Sequence, residues 1–454
     1  MSAVLTICAI MGVIAAGYFL IKGHKPVIVL LLTGIILTAV SVIAKPDLQL
    51  LDEKATSGSR FFDIFTLFEK VAGSQLTGVG LIIMAAGGFS AYMNKIGASR
   101  ALVSVAARPI AKIHKPYLLL MVAYLLGQVL FMVIPSAAGL AILLLVLLVP
   151  ILTEAGVTPA AAAAVIATSS GLPMGPATGT TVLAADTAKM SPVVYFTQNQ
   201  LLVAVPAMIA VMLTHYFTQR YFDRKGTEVY QTPVLKKQAP KNIAPRYYAL
   251  FLVLPIAMLV IFSPLTNDNI ELSTVTAFFI TWLLAVIVEL IRRRESAVLA
   301  ESTEFFSGMG SMFASVVSLI IAAQIFAQGI THTGVIAHLI EATSKVGAGM
   351  VIVTILFTLI VGIVTFLTGS GVGAFSAFAK LAPDVSAGLG GSTAALVTPM
   401  QFASGLFRSF SPIAGVVIAV AGGVGISPIA LVKRTLAPML VGIIVMLAAS
   451  LILL

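Results

Sequence analysis

A chain crossing a lipid bilayer is held to the continuous helix, because hydrocarbon offers no partner to a free N–H or C=O. Twice this chain interrupts long apolar sequence with helix breakers. Residues 169–181 read SSGLPMGPATGTT and residues 403–415 read ASGLFRSFSPIAG. Ser170 and Gly171 stand 234 positions before Ser404 and Gly405, and Ser136-Ala137-Ala138-Gly139 stands the same distance before Ser370-Gly371-Val372-Gly373. Phe89, Gly97 and Leu102 precede Phe326, Gly334 and Leu339 by 237. Matches in the same order beside helix breakers read as an internal duplication. Paired interruptions at corresponding places in two halves point to a transporter's binding site.

With 59% hydrophobic residues, 10% charged residues and a mean hydropathy of +1.07, most of the surface must face lipid, and an all-α polytopic membrane protein is predicted. Apolar runs long enough to span fall near 3–21, 26–44, 76–94, 198–219, 247–264, 272–291, 308–328 and 435–453, and none alternates like a barrel strand. The first run lacks a basic start and is followed at once by Lys22, His24, Lys25 and another apolar run, so it is expected to be a retained helix. The lone Cys8 excludes an intrachain disulfide, and no metal or cofactor is expected.

Basic short loops stay cytoplasmic. Residues 95–115 carry Lys95, Arg100, Arg108, Lys112 and Lys115 without an acid, 220–246 is a basic linker, and Arg292-Arg293-Arg294 closes another run. The acid-containing stretches 45–63 and 265–271 should lie outside. The net charge of +10 is therefore mostly topology, with headgroups rather than nucleic acid as the partner. Two apolar arms at 116–134 and 139–154 meet at Pro135-Ser136 and fit a re-entrant hairpin, with a duplicate at 349–382. Each half, 1–219 and 247–454, then holds five transmembrane crossings, one of them a broken helix, plus one hairpin. The odd number gives two inverted-topology repeats, with both termini outside, the linker inside, and Lys433-Arg434 cytoplasmic.

At such breaks, half-helix N-termini present free N–H groups to anions, and freed carbonyls can hold cations. The candidate substrate-binding residues are Ser136 and Ser370 at the hairpin turns, Gly369 and Gly371 beside the second, and Ser170, Gly171, Thr178, Gly179 and Thr180 at the first break. The second break supplies Ser404, Gly405, Arg408, Ser409 and Ser411. Hydroxyls donate to carboxylates without adding charge, and glycines let backbone approach a ligand. For any one of them, close helix packing is an equal account. Arg408 is the sharpest: an intramembrane guanidinium needs a partner or a task, its fork suits a carboxylate, and no acid follows Val385. Glu289 with Arg292 and Arg293, Asp186 with Lys189, and Lys380 with Asp384 read as interfacial pairs, Asp186 keeping a secondary role as a proton-coupling group. His215 reads as a headgroup-level histidine.

The segments GGFSAYMNKIGAS (87–99), SAAGL (136–140), TVLAA (181–185), FAQG (326–329), GSG (369–371), RSFSPIAGVVIAVAG (408–422) and VKRT (432–435) together resemble the anaerobic C4-dicarboxylate carrier family of the DcuC type, within the ion transporter superfamily. The resemblance covers nearly the whole chain. It implies a secondary active transporter exchanging or exporting succinate, fumarate or malate, an elevator mechanism, a homodimer in the bacterial inner membrane, and Arg408 as anion anchor. By that analogy 1–94 and 247–328 form a scaffold, 97–113 and 333–346 interfacial arms, and the hairpins (116–154, 349–382) and broken and final helices (157–219, 393–454) carry the transport domain. Val372-Gly373-Ala374 replaces an Asn-Ala-Pro expected after Gly371, and Thr180 stands where some relatives carry an acid. The rivals are a sodium or proton antiporter, a carrier of another organic anion, and a passive channel. An antiporter should place an acid at a break, and none of the four has one. An intramembrane enzyme is disfavoured because no HExxH, paired membrane aspartates or Ser–His constellation occurs.

Overall fold

The computed structural model describes residues 2–52, 55–109, 113, 115–226, 244–262, 266, 270, 272–335 and 349–454. Most of the basic linker, most of the second interfacial arm, and Asp268 and Glu271 of the acidic loop fall outside the described residues. Among the described residues there is no strand, and nine helices are long and apolar enough to cross a membrane.

Helices α1 (Ser2–Ile21) and α2 (Pro26–Ala44) lead to α3 (Arg60–Gln75), which runs through a π-helical turn at Leu76–Gly80 into α4 (Leu81–Lys95). This continuous 60–95 helix starts earlier than the apolar run at 76–94 suggested. Its first turns are amphipathic, and buried Asp63 accepts hydrogen bonds from Thr56 Oγ1 (2.5 Å) and from the Ser57 N–H and Oγ (both 2.7 Å). A search for unbroken apolar sequence passes over such a start. After α5 (Ala98–Ala107), α6 (Pro116–Val133) and α7 (Ala137–Glu154) form the hairpin around Ser136, whose Oγ caps α7 by accepting from the Gly139 N–H. Two short helices, α8 (Pro159–Thr168) and α9 (Gly179–Thr187), flank the first break. A four-residue helix, α10 (Pro192–Tyr195), then passes through a π turn (Phe196–Gln200) into α11 (Leu201–Lys225).

The second half follows the same order. Helices α12 (Ala249–Ile261) and α13 (Thr274–Arg293) precede α14 (Ala297–Ser302) and α15 (Glu304–Met312), which pass through a π turn at Phe313–Val317 into α16 (Ser318–Thr333). Then come α17 (Gly349–Thr368), α18 (Gly371–Ala379), α19 (Ala382–Gly388), α20 (Thr393–Arg408), α21 (Gly415–Val424) and α22 (Pro428–Leu453). The π turns begin at Leu76 and Phe313, 237 positions apart, and the helices after them both end on left-handed glycines, Gly97 (φ 82°) and Gly334 (φ 84°). Ser370 Oγ accepts from Gly373 N–H as Ser136 Oγ does from Gly139.

The centre of the fold is built from small residues. Ala160 to Ala164 of α8 are fully buried and let α7, α21 and α22 close on it. Where helices cross, backbone touches backbone: a Cβ on Gly34 would lie 2.7 Å from the Ile325 carbonyl carbon. Helices α11 and α22, the last of each half, pack along one another and bury the ion pair of Arg434 with Asp223 (2.7 Å). Asp223 also accepts from Thr158 (2.7 Å) and Tyr117 (3.3 Å). Arg434 is thus an interior residue rather than a solvated loop charge.

Candidate functional site

Both breaks are narrower than their small-residue signatures. The first runs from Ser169 to Thr178, and Thr180 is already on the first turn of α9. The second runs only from Ser409 to Ala414, so Ser404, Gly405 and Arg408 lie on the last two turns of α20. Proline decides the difference: Pro173 and Pro176 interrupt the first segment and Pro412 the second. The Ser-Gly pairs serve close approach instead. A Cβ on Gly405 would sit 2.4 Å from the Gly171 carbonyl oxygen, and one on Gly371 would sit 2.3 Å from that of Ser404.

A cavity of about 440 Å³ lies between these breaks and the helices α4 and α15. Of the sequence-predicted residues, Ser136, Thr178, Gly179, Thr180, Ser404, Gly405 and Arg408 line it. The N-termini of α7 and α9 end at its wall, and Val372 brings the start of α18 there. Three helix N-termini therefore meet one guanidinium, an arrangement that favours an anion. Arg408 Nη2 donates to Ser170 O (3.0 Å) and Ser170 Oγ (3.1 Å), while its buried Nε has no partner. The one carboxylate of the lining, Glu304, belongs to α15 on the opposite wall.

The other seven residues are not in the lining. Ser170 reaches the cavity through Arg408, and Gly171 is the surface on which Gly405 packs. Gly369 (φ 70°) makes the left-handed turn of the second hairpin, Ser370 caps the following helix, and Gly371 packs on Ser404. Ser409 Oγ donates to Gly405 O (2.9 Å) and Ser411 Oγ to Phe366 O (2.6 Å), so both hydroxyls satisfy backbone.

Three buried glutamines that sequence reading passed over hold the first break. Gln128 pairs with Leu172 like another backbone, donating to its O (3.1 Å) and accepting from its N–H (3.2 Å). Gln200 accepts from the Gly175 N–H (3.2 Å) and donates to Gln401 Oε1 (2.9 Å). Gln401 donates to Pro173 O (2.9 Å) and Thr181 Oγ1 (3.1 Å), and Tyr195 donates to Gln401 Oε1 (3.2 Å). Unwound backbone at this depth thus gets protein partners in place of water. The missed signal was glutamine inside apolar helices.

Three side-chain assignments change. His215 is completely buried, with Nε2 2.9 Å from Thr168 Oγ1 and Nδ1 3.2 Å from Gln219 Nε2. It braces the helix leading into the first break instead of reaching headgroups. Asp186 pairs across the halves with Lys380 (2.6 Å) rather than with Lys189, and Asp384 accepts from Thr331 (3.0 Å) rather than holding Lys380. Glu289 pairs with Arg292 (2.9 Å) and Arg293 (3.7 Å) as expected.

The fold and this charged, proline-broken cavity define a polytopic helical membrane transporter. A family described as the C4-dicarboxylate anaerobic carrier (DcuC) matches residues 4–454, and the chain belongs to that family. It is 33% identical over 439 residues to the anaerobic C4-dicarboxylate transporter DcuC of Escherichia coli K12, and equally to that of Shigella flexneri, covering 96% of this chain and 94% of each relative. Two solved structures share the fold. One is the YdaH transporter of Alcanivorax borkumensis (TM-score 0.65, 16% identity, 94% of this chain and 98% of that one). The other is Neisseria gonorrhoeae MtrF, described with a class of antimetabolite efflux pumps (TM-score 0.61, 14% identity, 94% of each chain). Family and spans together make this a multi-pass protein of the bacterial inner membrane, a transporter and not an enzyme.

Proposed function

We propose that the chain is a secondary carrier of C4-dicarboxylates such as succinate, fumarate and malate, working by exchange or efflux. The observation that carries this reading is Arg408, a guanidinium that among the described residues has no carboxylate partner and an unpartnered Nε, at a cavity ringed by helix N-termini. One carboxylate binds Arg408; the other takes hydroxyl and N–H donors from Ser136, Thr178 and Thr180. Membership of the dicarboxylate family supports the substrate class.

The reading includes two inverted repeats and an elevator motion. The recurring π turns, left-handed glycines and serine caps support the first. For the second, the cavity is a seam. Its α4 and α15 wall belongs to the scaffold, and its opposite wall to the hairpin turns and breaks, whose contacts with each other are backbone-close. Asn94 at the cavity precedes Lys95, and Glu304 lies three residues after Glu301, which pairs with Arg293 (2.5 Å); with those basic residues cytoplasmic, this end of the cavity is the inward one. Any coupling proton or sodium ion lacks a carboxylate on the moving wall of the cavity. The homodimer stays part of the reading and is checked by mass in detergent.

Radiolabelled succinate uptake into proteoliposomes tests it. Vesicles preloaded with succinate or fumarate should take up label far faster than empty ones. No movement under either load overturns the substrate assignment, and equal uptake without internal dicarboxylate indicates a channel.

A further inference from the structure

The two continuous helices 60–95 and 297–333 pack together at their π turns, so each end of the pair forms a groove. One groove is the scaffold wall of the Arg408 cavity, with Gly87 and Ala91 on α4 and Ser307, Ser311 and Met312 on α15. The other, between α3 and α16, is a separate pocket of about 500 Å³, roofed by Gln49 to Asp52. Positions 237 apart occupy corresponding places in the two: Gln324 and Gln328 match Gly87 and Ala91, and Lys70, Ser74 and Gln75 match Ser307, Ser311 and Met312. The second pocket lies under the acid-containing loop assigned to the outside. Both volumes fall within the range of small-molecule sites, about 300–1,000 Å³.

Its lining is chemically unusual for a membrane scaffold. The Oε1 atoms of Gln75 and Gln328 are buried without a partner, and an unmade hydrogen bond of this kind costs about 1–3 kcal/mol. As placed, these oxygens call for a donor; the amide O and N are exchanged by a half-turn of the group, and in that orientation each presents Nε2–H to an acceptor. Among the described residues Lys70 pairs with Asp52 at a long 3.9 Å, with the two side chains 45% and 96% exposed, a weak pairing that a stronger partner can displace. The acid in this lining, Asp52, is turned to solvent at 96% exposure, so the ammonium and the turned amides present donors that suit a carboxylate.

Resting on the carrier reading, we propose that this pocket is a second dicarboxylate site. It is the outer station, where the scaffold receives substrate when the Arg408 site faces outward. Lys70 takes one carboxylate, and the amides of Gln75, Gln324 and Gln328 take the other.

Counterflow measured separately in right-side-out and inverted vesicles tests this with Lys70→Gln. The KM for succinate presented at the outer face should rise about three- to tenfold, as for loss of one partly exposed charge-assisted hydrogen bond, with the inner-face KM unchanged. A wild-type protein that moves no dicarboxylate sinks the carrier reading and this proposal with it. A working carrier whose outer KM ignores Lys70, or whose two KM values rise together, sinks this proposal alone. Gln328→Cys in a Cys8→Ser background gives a second measurement that does not depend on the Lys70 variant folding. An impermeant thiol reagent should label it from outside, and succinate should slow the labelling. Labelling from inside only, or at a rate indifferent to succinate, overturns the assignment.

Discussion

Replacing Arg408 with glutamine separates a binding role from a structural one, because the two predict opposite changes in the empty protein. Glutamine can still donate to Ser170 O, but it lacks the charge and the fork. In the empty protein the half-buried guanidinium is partly desolvated without a carboxylate, a cost of up to several kcal/mol per ion, against two hydrogen bonds to Ser170 worth about 1.5–3 kcal/mol each, which a glutamine donor replaces in part. The empty variant should therefore be at least as stable as wild type. Substrate binding should suffer, since removing one partner of a buried charge pair costs about 2–5 kcal/mol, roughly 30-fold to several thousandfold in Kd. Thermal unfolding in detergent with and without succinate reads both effects. At a concentration about 100 times the wild-type Kd, ligand stabilises wild type by about 2.7 kcal/mol, and a 30-fold weaker Kd leaves less than about 0.9 kcal/mol. A variant whose Tm without ligand collapses while its succinate shift survives would refute the anchor and make Arg408 a brace for the first break.

Gly405→Ala should lower Tm by an amount equivalent to about 1–3 kcal/mol, since its Cβ would meet Gly171 O at 2.4 Å and Pro173 Cδ at 2.5 Å. Gly179→Ala, whose nearest neighbours are Ile83 side-chain atoms at 3.7 Å, should leave Tm unchanged. Gln401→Leu strips Pro173 O of its 2.9 Å donor, leaving Gln200 Nε2 at 3.4 Å, while Tyr195 keeps Thr398 Oγ1 at 2.8 Å, so the change should cost about 0.5–1.5 kcal/mol for each hydrogen bond lost. Limited proteolysis should then cut between residues 169 and 178, where wild type resists. Asp223→Asn takes one carboxylate, at 2.7 Å, away from buried Arg434 and should lower stability by about 1–3 kcal/mol in denaturant unfolding, part of which Arg434→Met in the same chain should restore.

Membrane class, most helix positions, the helix-capping turn serines Ser136 and Ser370, and the place of Arg408 in the interior were legible because they depend on local composition: apolar run length, a turn serine before a helix, a charge inside apolar sequence. Helix starts at Arg60 and Ala297 were not, since amphipathic turns carry no long apolar run. The ends of the breaks were misjudged for a physical reason. Gly405 and Ser404 look like helix breakers, yet in a membrane small residues equally permit close packing, and which use prevails depends on the neighbour, here Gly171. Long-range partners were the least legible. Lys380 had Asp384 four residues away, but pairs with Asp186 at a separation of 194. His215 adjoins a basic loop, yet packs under Thr168.

The charge distribution of the cavity bears on why exchange should outrun one-way flow. On the wall assigned to the moving domain, Arg408 is the one formally charged lining residue, so the empty site carries one positive charge and the site with a dianion one negative charge. Formal charge alone thus does not forbid the empty return. On the proposed elevator motion the local field would oppose it, because three helix N-termini add their partial positive charge to Arg408, and a dianion would offset what an empty site must carry into the seam. Exchange of one dianion for another moves no net charge, whereas net dianion flow moves two per cycle. Counterflow of succinate against fumarate should therefore change little when a potassium gradient and valinomycin impose either sign of membrane potential. Net succinate efflux into buffer should be slower and should follow the potential. Counterflow that responds to potential as steeply as net efflux would mean that another charge travels with Arg408, and the site would need a cation that the breaks do not supply.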